Sequence, residues 1–257
     1  MTCLLLGEGP SDLGVNNDYS EPRFQKGPMT LVIDYLAAKN GVKEVEYELL
    51  SRGDVSRGIK SNRRQIASRP KEVNQEFRKI FQSALYVGTV ARESQKDAAV
   101  YFHDQDRTNS SPTNTAQQLE RAMVCGFDMA RYQFGVPMIP VPRSEAWLLA
   151  YFQKGLGKHQ PYNKAEVFEK LPGNDKSPKS AKKLLGRAVG AQVESDIYSK
   201  IMEEFNNIDW TQVDMPSYNR FSERLKVVLD AYRSTTESRG NLTLLNQGVY
   251  CKSRHIQ

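Results

Sequence analysis

The chain contains few of the residues that build disulfide frameworks or zinc sites. Its 257 residues include only Cys3, Cys125 and Cys251, which are widely separated and form no Cys-x-x-Cys pair. An odd number of scattered cysteines indicates neither a disulfide framework nor a zinc knuckle. We therefore expect a reduced, cytoplasmic protein.

Long apolar runs are also missing. No run approaches the ~20 residues that a transmembrane helix needs. The first apolar run, Cys3-Leu4-Leu5-Leu6, is too short for a signal peptide and has no basic segment before it. With 39% hydrophobic and 26% charged residues, the composition is that of a globular protein without a membrane partner.

Two common nucleotide-binding motifs are absent. Gly7-x-Gly9 begins like the dinucleotide fingerprint, but Asp12 stands at the position of the third glycine. No strand is followed by the Gly-Lys-Ser/Thr of a P-loop. The glycines near the start of the chain therefore need another explanation.

What the chain does have is a concentration of positive charge. The net charge is +6, and the segment from Arg52 to Lys79 alone holds nine basic and three acidic residues, which is nine minus three, or +6. Basic stripes of this kind are typical of proteins that bind polyanions, although a solvated helix face gives the same pattern. The candidate nucleic-acid contacts are Arg52, Arg57, Lys60, Arg63, Arg64, Lys182 and Lys183.

Alternating strand and helix patterns over residues 1–152 predict an α/β fold with a mostly parallel sheet flanked by helices. The predicted strands include Thr2–Leu6, Asp97–Phe102 and a proline-rich strand at 135–142, which its prolines place near a sheet edge. One helix is predicted from Gly27-Pro28 to the stop at Asn40-Gly41, and another from Arg69-Pro70 to about Glu93. We assign residues 1–157 to this domain, with a basic insert at about 51–70. Residues 158–257 are predicted to form a mainly helical C-terminal subdomain and tail, with one short strand at Leu242–Leu245.

Acidic residues follow three of the predicted strands, at the edge where ligands gather in open α/β sheets. They are Glu8 and Asp12, Asp104 and Asp106, and Glu145. Carboxylates that converge would repel one another, and a bound Mg²⁺ removes this conflict. In Asp-x-Asp on an extended chain, both side chains emerge on the same side and can share an ion. Glu145 is explained equally well by the positive end of the helix that follows Ser144.

A phosphatase is an alternative interpretation of the same residues. Asp104-Gln105-Asp106-Arg107-Thr108 after an apolar strand resembles the Asp-x-Asp-x-Thr of haloacid-dehalogenase-type enzymes, in which the first Asp is the nucleophile. That motif normally lies near the chain start and continues with apolar residues, whereas here Asn109-Ser110-Ser111-Pro112 follows.

Several motifs together resemble a Toprim domain. Two carry the Toprim signature: an apolar strand ending in Gly7-Glu8-Gly9, and a later one ending in Asp104-Gln105-Asp106. The chain is most similar to small bacterial Toprim proteins related to the nuclease domain of overcoming-lysogenization-defect proteins. This similarity rests on three further segments: Glu8-Gly9-Pro10-Ser11-Asp12, Glu145-Ala146-Trp147-Leu148-Leu149-Ala150 and Pro216-Ser217-Tyr218-Asn219-Arg220-Phe221.

The resemblance implies a Mg²⁺- or Mn²⁺-dependent nuclease that hydrolyses phosphodiester bonds in DNA or RNA. It implies one or two ions held by Asp104 and Asp106 and completed by Asp12 and Glu145, with Glu8 as a ligand or a general acid/base. It also implies homodimers, an ATPase partner and a role in anti-phage defence. A non-catalytic subunit that binds nucleic acid or a partner protein remains a further alternative. Trp147, Leu148 and Tyr151 are expected to pack in the core rather than to stack on bases.

Overall fold

The computed structural model describes residues 1–7, 10–16, 24–61, 70–105, 115–152, 165–174, 176–193, 195–205, 209–210 and 213–237. In chain order, its strands and α-helices are β1 (Thr2–Leu6), α1 (Pro10–Leu13), β2 (Gly14–Asn16), β3 (Phe24–Lys26), α2 (Pro28–Lys39), β4 (Glu46–Leu50), α3 (Arg52–Ser61), α4 (Arg78–Glu93), β5 (Ala98–Phe102), α5 (Thr115–Met129), β6 (Gly135–Met138), α6 (Ser144–Phe152), α7 (Ala181–Ala188), α8 (Ser195–Glu204) and α9 (Pro216–Glu237). Two 3₁₀ segments lie at Gln75–Phe77 and Ala165–Lys170.

Within the described residues, the main sheet has four strands in the order β4-β1-β5-β6, and every pair is parallel. All four strands therefore end at the same edge of the sheet, called here the carboxyl edge. Helices cover both faces of the sheet, so the predicted α/β fold with a parallel sheet flanked by helices is confirmed. A separate antiparallel pair, β2 and β3, precedes α2.

Two hydrophobic cores lie on the two faces of the sheet, because side chains alternate along each strand. The first core takes Leu5 of β1 and Phe102 of β5, together with α2 and α6. The second core takes Leu6 and Tyr101, together with α4 and α5. Each large side chain that is fully buried in this way contributes about 1.5–3 kcal/mol to stability.

The C-terminal helices share the first core with the sheet. Side chains from α7, α8 and α9 join the same cluster as β1, β5 and α6; examples are Leu184, Leu185, Ile197, Ile201, Phe221 and Leu225. Helix α9 also covers the outer edge of the sheet, where Arg224 Nε donates to the carbonyl oxygen of Gly135 in β6 at 2.9 Å. The segment predicted as a helical subdomain thus completes a core that begins in the first half of the chain.

The basic segment differs from its prediction. No helix was expected between Arg52 and Ser61, yet α3 occupies this stretch and buries Val55 in the second core. The following helix was expected to start at Arg69-Pro70, but α4 begins only at Arg78. A turn precedes α4 instead, in which the amide of Val73 donates to the carbonyl of Pro70 at 3.1 Å.

Other expectations at the chain's later elements have mixed outcomes. Strand β6 lies at the sheet edge, as its prolines predicted. Trp147 and Leu148 are fully buried, and Tyr151 is half-buried against the same core, which confirms that they pack in the core. The strand expected at Leu242–Leu245 lies outside the described residues. Across the described ranges, no helix is long and apolar enough to cross a bilayer.

Candidate functional site

Ser144, the first residue of α6, connects two of the predicted acids. Its backbone amide donates to Asp104 Oδ1 at 3.0 Å, and its hydroxyl donates to Asp12 Oδ1 at 2.6 Å. Asp12 and Asp104 are 92 residues apart in the sequence, and both carboxylates meet at this one buried serine. The expected convergence of acids at the carboxyl edge is therefore present for this pair.

Asp12 is positioned through its neighbour Leu13. The carbonyl of Leu13 accepts hydrogen bonds from the amide of Gly27 at 3.0 Å and from the hydroxyl of Thr30 at 2.5 Å. The Leu13 side chain is fully buried against Gly7, where an added Cβ would lie only 2.3 Å from it. Gly7 is thus required for close packing, which holds α1 and Asp12 against the end of β1.

Asp104 is positioned by an extension of the ladder between β5 and β6. The amide of His103 donates to Met138 O at 3.0 Å, and the amide of Gln105 donates to Pro140 O at 3.1 Å. The backbone on either side of Asp104 is therefore still held in strand register past the end of β5. His103 Nδ1 lies 2.6 Å from the carbonyl oxygen of Asp104, so this ring contacts backbone.

Glu145 lies beside the same pair in the first turn of α6, and only 5% of it is exposed. The hydroxyl of Tyr198 in α8 donates to Glu145 Oε1 at 3.3 Å. The positive end of the α6 dipole also favours a carboxylate at this position. The Tyr198 hydroxyl and the α6 dipole both reduce the free-energy cost of burying this charge.

Asp12, Asp104 and Glu145, called here the acid cluster, all act on the phenol of Tyr198. Burial raises the pKa of the Tyr198 phenol well above its ordinary value. The negative charges of Glu145, Asp12 and Asp104 raise this pKa further. A single hydroxyl in α8 therefore experiences carboxylates that follow β1, β5 and β6.

The donor chemistry of the cluster fits a hard divalent cation, because carboxylate oxygens are the ligands that Mg²⁺ and Mn²⁺ take in such sites. Among the residues that the structure describes, no group of three His, Cys, Asp or Glu side chains lies close enough to hold a metal. The predicted ligands Glu8 and Asp106 lie outside the described residues. The described part of the site therefore supplies Asp12 and Asp104 as a joined pair.

The predicted nucleic-acid contacts that the structure describes fall on two helices. On α3, Arg52, Arg57 and Lys60 are exposed, and Arg57 Nη2 lies 2.6 Å from Asp54 Oδ1. On α7, Lys183 is exposed and Lys182 is half-buried, whereas Arg63 and Arg64 lie outside the described residues. Helix α3 starts directly after β4, so its first turn lies at the carboxyl edge, although it packs on the second core.

Two segments that carried the resemblance pack against each other. Trp147 of α6 donates its Nε1–H to Ser217 Oγ at 2.8 Å. Its ring lies 5.4 Å from the Tyr218 ring and 5.6 Å from the Phe221 ring, measured between centroids. These contacts fix the start of α9 against α6, the helix that presents Ser144 and Glu145.

Two residues of the site were not identified from the sequence in these roles. Ser144 was expected as a helix cap, which Ser residues often are, but its hydroxyl binds Asp12. Tyr198 gave no signal at all, since its contact with Glu145 spans 53 residues. No family model matches this chain, and no curated protein and no solved structure matches it either.

Proposed function

We propose that this protein is a metal-dependent nuclease that hydrolyses phosphodiester bonds of DNA or RNA. The observation that carries the proposal is the shared hydrogen bonding of Asp12 and Asp104 to Ser144, with Glu145 beside them. Acids that follow two different strands are thereby held at the edge where α/β folds bind ligands. The Toprim resemblance supports the same assignment through the order and spacing of the motifs.

In this proposal, Asp12 and Asp104 hold Mg²⁺ or Mn²⁺, together with Asp106, Glu8 and Glu145. A bound dication lowers the pKa of an attacking water and stabilises negative charge on the scissile phosphate. The chain's own contribution is to hold the carboxylates in place before substrate arrives. Ser144 does this for Asp12 and Asp104 with one side-chain and one backbone donor.

Exposed basic residues on α3 support a polyanionic substrate. Helix α3 begins at the carboxyl edge and presents Arg52, Arg57 and Lys60 to solvent. Such residues contact phosphates and position a nucleic acid without reading its sequence. We therefore assign α3 to binding the phosphate backbone of the nucleic acid.

The decisive experiment incubates the protein with single- and double-stranded DNA and RNA in the presence of Mn²⁺. We expect cleavage that a chelator stops and that Asp104→Asn abolishes. The matched control is Asp97→Asn. Asp97 directly precedes β5, the strand that Asp104 follows, and it accepts hydrogen bonds from Thr2. Asp97→Asn should cleave at the wild-type rate.

The other outcomes separate the alternatives. Turnover of phosphate monoesters with a trapped phospho-aspartate at Asp104 would indicate a haloacid-dehalogenase-type phosphatase. Salt-sensitive nucleic-acid binding without metal-dependent cleavage would indicate a non-catalytic subunit. Because the resemblance also supports an ATPase partner, a homodimer and anti-phage defence, the panel should be repeated with candidate ATPases from phage-defence operons and ATP.

A further inference from the structure

The C-terminal helices contribute a side chain to the acid cluster. Tyr198 lies in the first half of α8, and its hydroxyl donates to Glu145 Oε1 at 3.3 Å. Sequence patterns place Glu145 at a strand end but give Tyr198 no role. This contact joins α8 to the helix that also presents Ser144.

Helix α8 is held firmly where it presents Tyr198. Ile197 and Ile201 are fully buried in the first core on the neighbouring turns of α8. Gly186 of α7 lets Ile197 approach closely, because an added Cβ would lie 3.0 Å from Ile197 Cδ1. The phenol is therefore presented from a packed backbone.

Glu145 needs a partner of this kind. It is 5% exposed, and a buried carboxylate is costly unless hydrogen bonds compensate. A donor on a packed helix compensates part of this cost and also limits the rotation of the carboxylate group. Hydrogen-bond partners behind ligating residues orient those ligands and tune their affinity for metal.

We propose that Tyr198 is a positioning residue that orients Glu145 towards the divalent cation. This inference rests on the proposed function, since it assigns Glu145 to the same metal site. It makes the C-terminal helices part of the site and gives α8 a role in metal binding.

The test measures the affinity of the full chain for Mn²⁺ by titration calorimetry and by electron paramagnetic resonance of free Mn²⁺. We expect Tyr198→Phe to bind Mn²⁺ about tenfold more weakly than the wild type, at the lower end of the usual effect of such partners. The matched control is Tyr132→Phe. Tyr132 donates to Lys96 O at 2.8 Å beyond the opposite edge of the sheet, so its loss should leave Mn²⁺ affinity unchanged.

A double-mutant cycle with Glu145→Gln identifies the route of the effect. If Tyr198 acts through Glu145, adding Tyr198→Phe to Glu145→Gln should cause no further loss of affinity. A wild type that binds Mn²⁺, with unchanged affinity in Tyr198→Phe or with fully additive losses in the cycle, overturns this inference alone. An equal loss in Tyr132→Phe also overturns it. A wild type with no affinity for Mn²⁺, or affinity unaffected by Asp104→Asn, overturns the proposed metal site and this inference with it.

Discussion

Replacing Ser144 with alanine removes the hydroxyl that connects Asp12 to the rest of the acid cluster. The side chain is 1% exposed, and its hydroxyl donates to Asp12 Oδ1 at 2.6 Å. Alanine keeps the backbone amide that donates to Asp104 and fits the same space. The substitution therefore isolates one hydrogen bond to a charged group.

The expected loss of stability follows from that bond. Hydrogen bonds to charged groups contribute about 1.5–3 kcal/mol, so the free energy of unfolding without metal should fall by this amount. For a chain of this size, that corresponds to a melting temperature roughly 3–12 °C lower. We also expect about tenfold weaker Mn²⁺ binding, because Asp12 is no longer oriented.

The gain in the free energy of unfolding on adding Mn²⁺ provides a second test of the Ser144 hydroxyl. At a Mn²⁺ concentration of about 100 times the wild-type Kd, binding stabilises the folded wild type by about 2.7 kcal/mol. With tenfold weaker binding, the same concentration stabilises Ser144→Ala by only about 1.4 kcal/mol. Urea unfolding with and without Mn²⁺ measures both values.

The matched control is Ser217→Ala. Ser217 is also buried, and its hydroxyl accepts from the neutral indole of Trp147. It should lose about 0.5–1.5 kcal/mol and keep the full stabilisation by Mn²⁺. If Ser144→Ala retained both wild-type stability and the wild-type response to Mn²⁺, the role assigned to Ser144 would be wrong.

Four further variants test the fold and the proposed substrate. Urea unfolding of Gly126→Ala should show a free energy of unfolding lower by about 1–3 kcal/mol, because the new Cβ would lie 2.6 Å from Phe81 O. In Gly53→Ala the new Cβ has room, so the same measurement should show an increase of up to about 1 kcal/mol. Trp147→Ala should cost about 3–5 kcal/mol by the same measurement, since the indole joins α6 to α9. Replacing Arg52, Arg57 and Lys60 of α3 together with alanine should weaken the salt dependence of binding to duplex DNA. In fluorescence anisotropy over a salt series, the slope of log affinity against log salt concentration should become shallower by about 2–3. An unchanged slope would contradict the role of α3.

The two central strands, β1 and β5, were predictable because each is a short and almost entirely apolar run. The bounds of β1 were predicted to the residue, and those of β5 to within one residue. Helix α2 was also predicted, since Gly27-Pro28 and Asn40-Gly41 mark its two ends. In these segments, local pattern and tertiary packing favour the same structure.

Elements with little apolar surface were missed. Helix α3 buries only Val55 and contains two glycines, so its sequence has no helical stripe. Its position depends on Gly58, where an added Cβ would lie 2.1 Å from the Tyr86 ring in α4. The β2–β3 pair was missed for a related reason, since each strand has only three residues.

The approach of Asp12 to Asp104 was predictable from the sequence, but the hydrogen-bond partners of the acids were not. Strand ends and parallel pairing were enough to bring Asp12 and Asp104 together. Ser144 adopts its role because α6 docks beside both acids, and Tyr198 adopts its role because α8 packs behind Glu145. Such contacts depend on the tertiary arrangement of helices, which no local pattern contains.

The proposed function requires that acids distant in sequence share a divalent cation at the carboxyl edge. A crystal of the protein soaked in Mn²⁺ and measured for anomalous scattering tests this directly. We expect a peak at about 2.0–2.2 Å from carboxylate oxygens of both Asp12 and Asp104. A data set with ordered side chains at Asp12, Asp104 and Ser144 and no peak between the two carboxylates would contradict it.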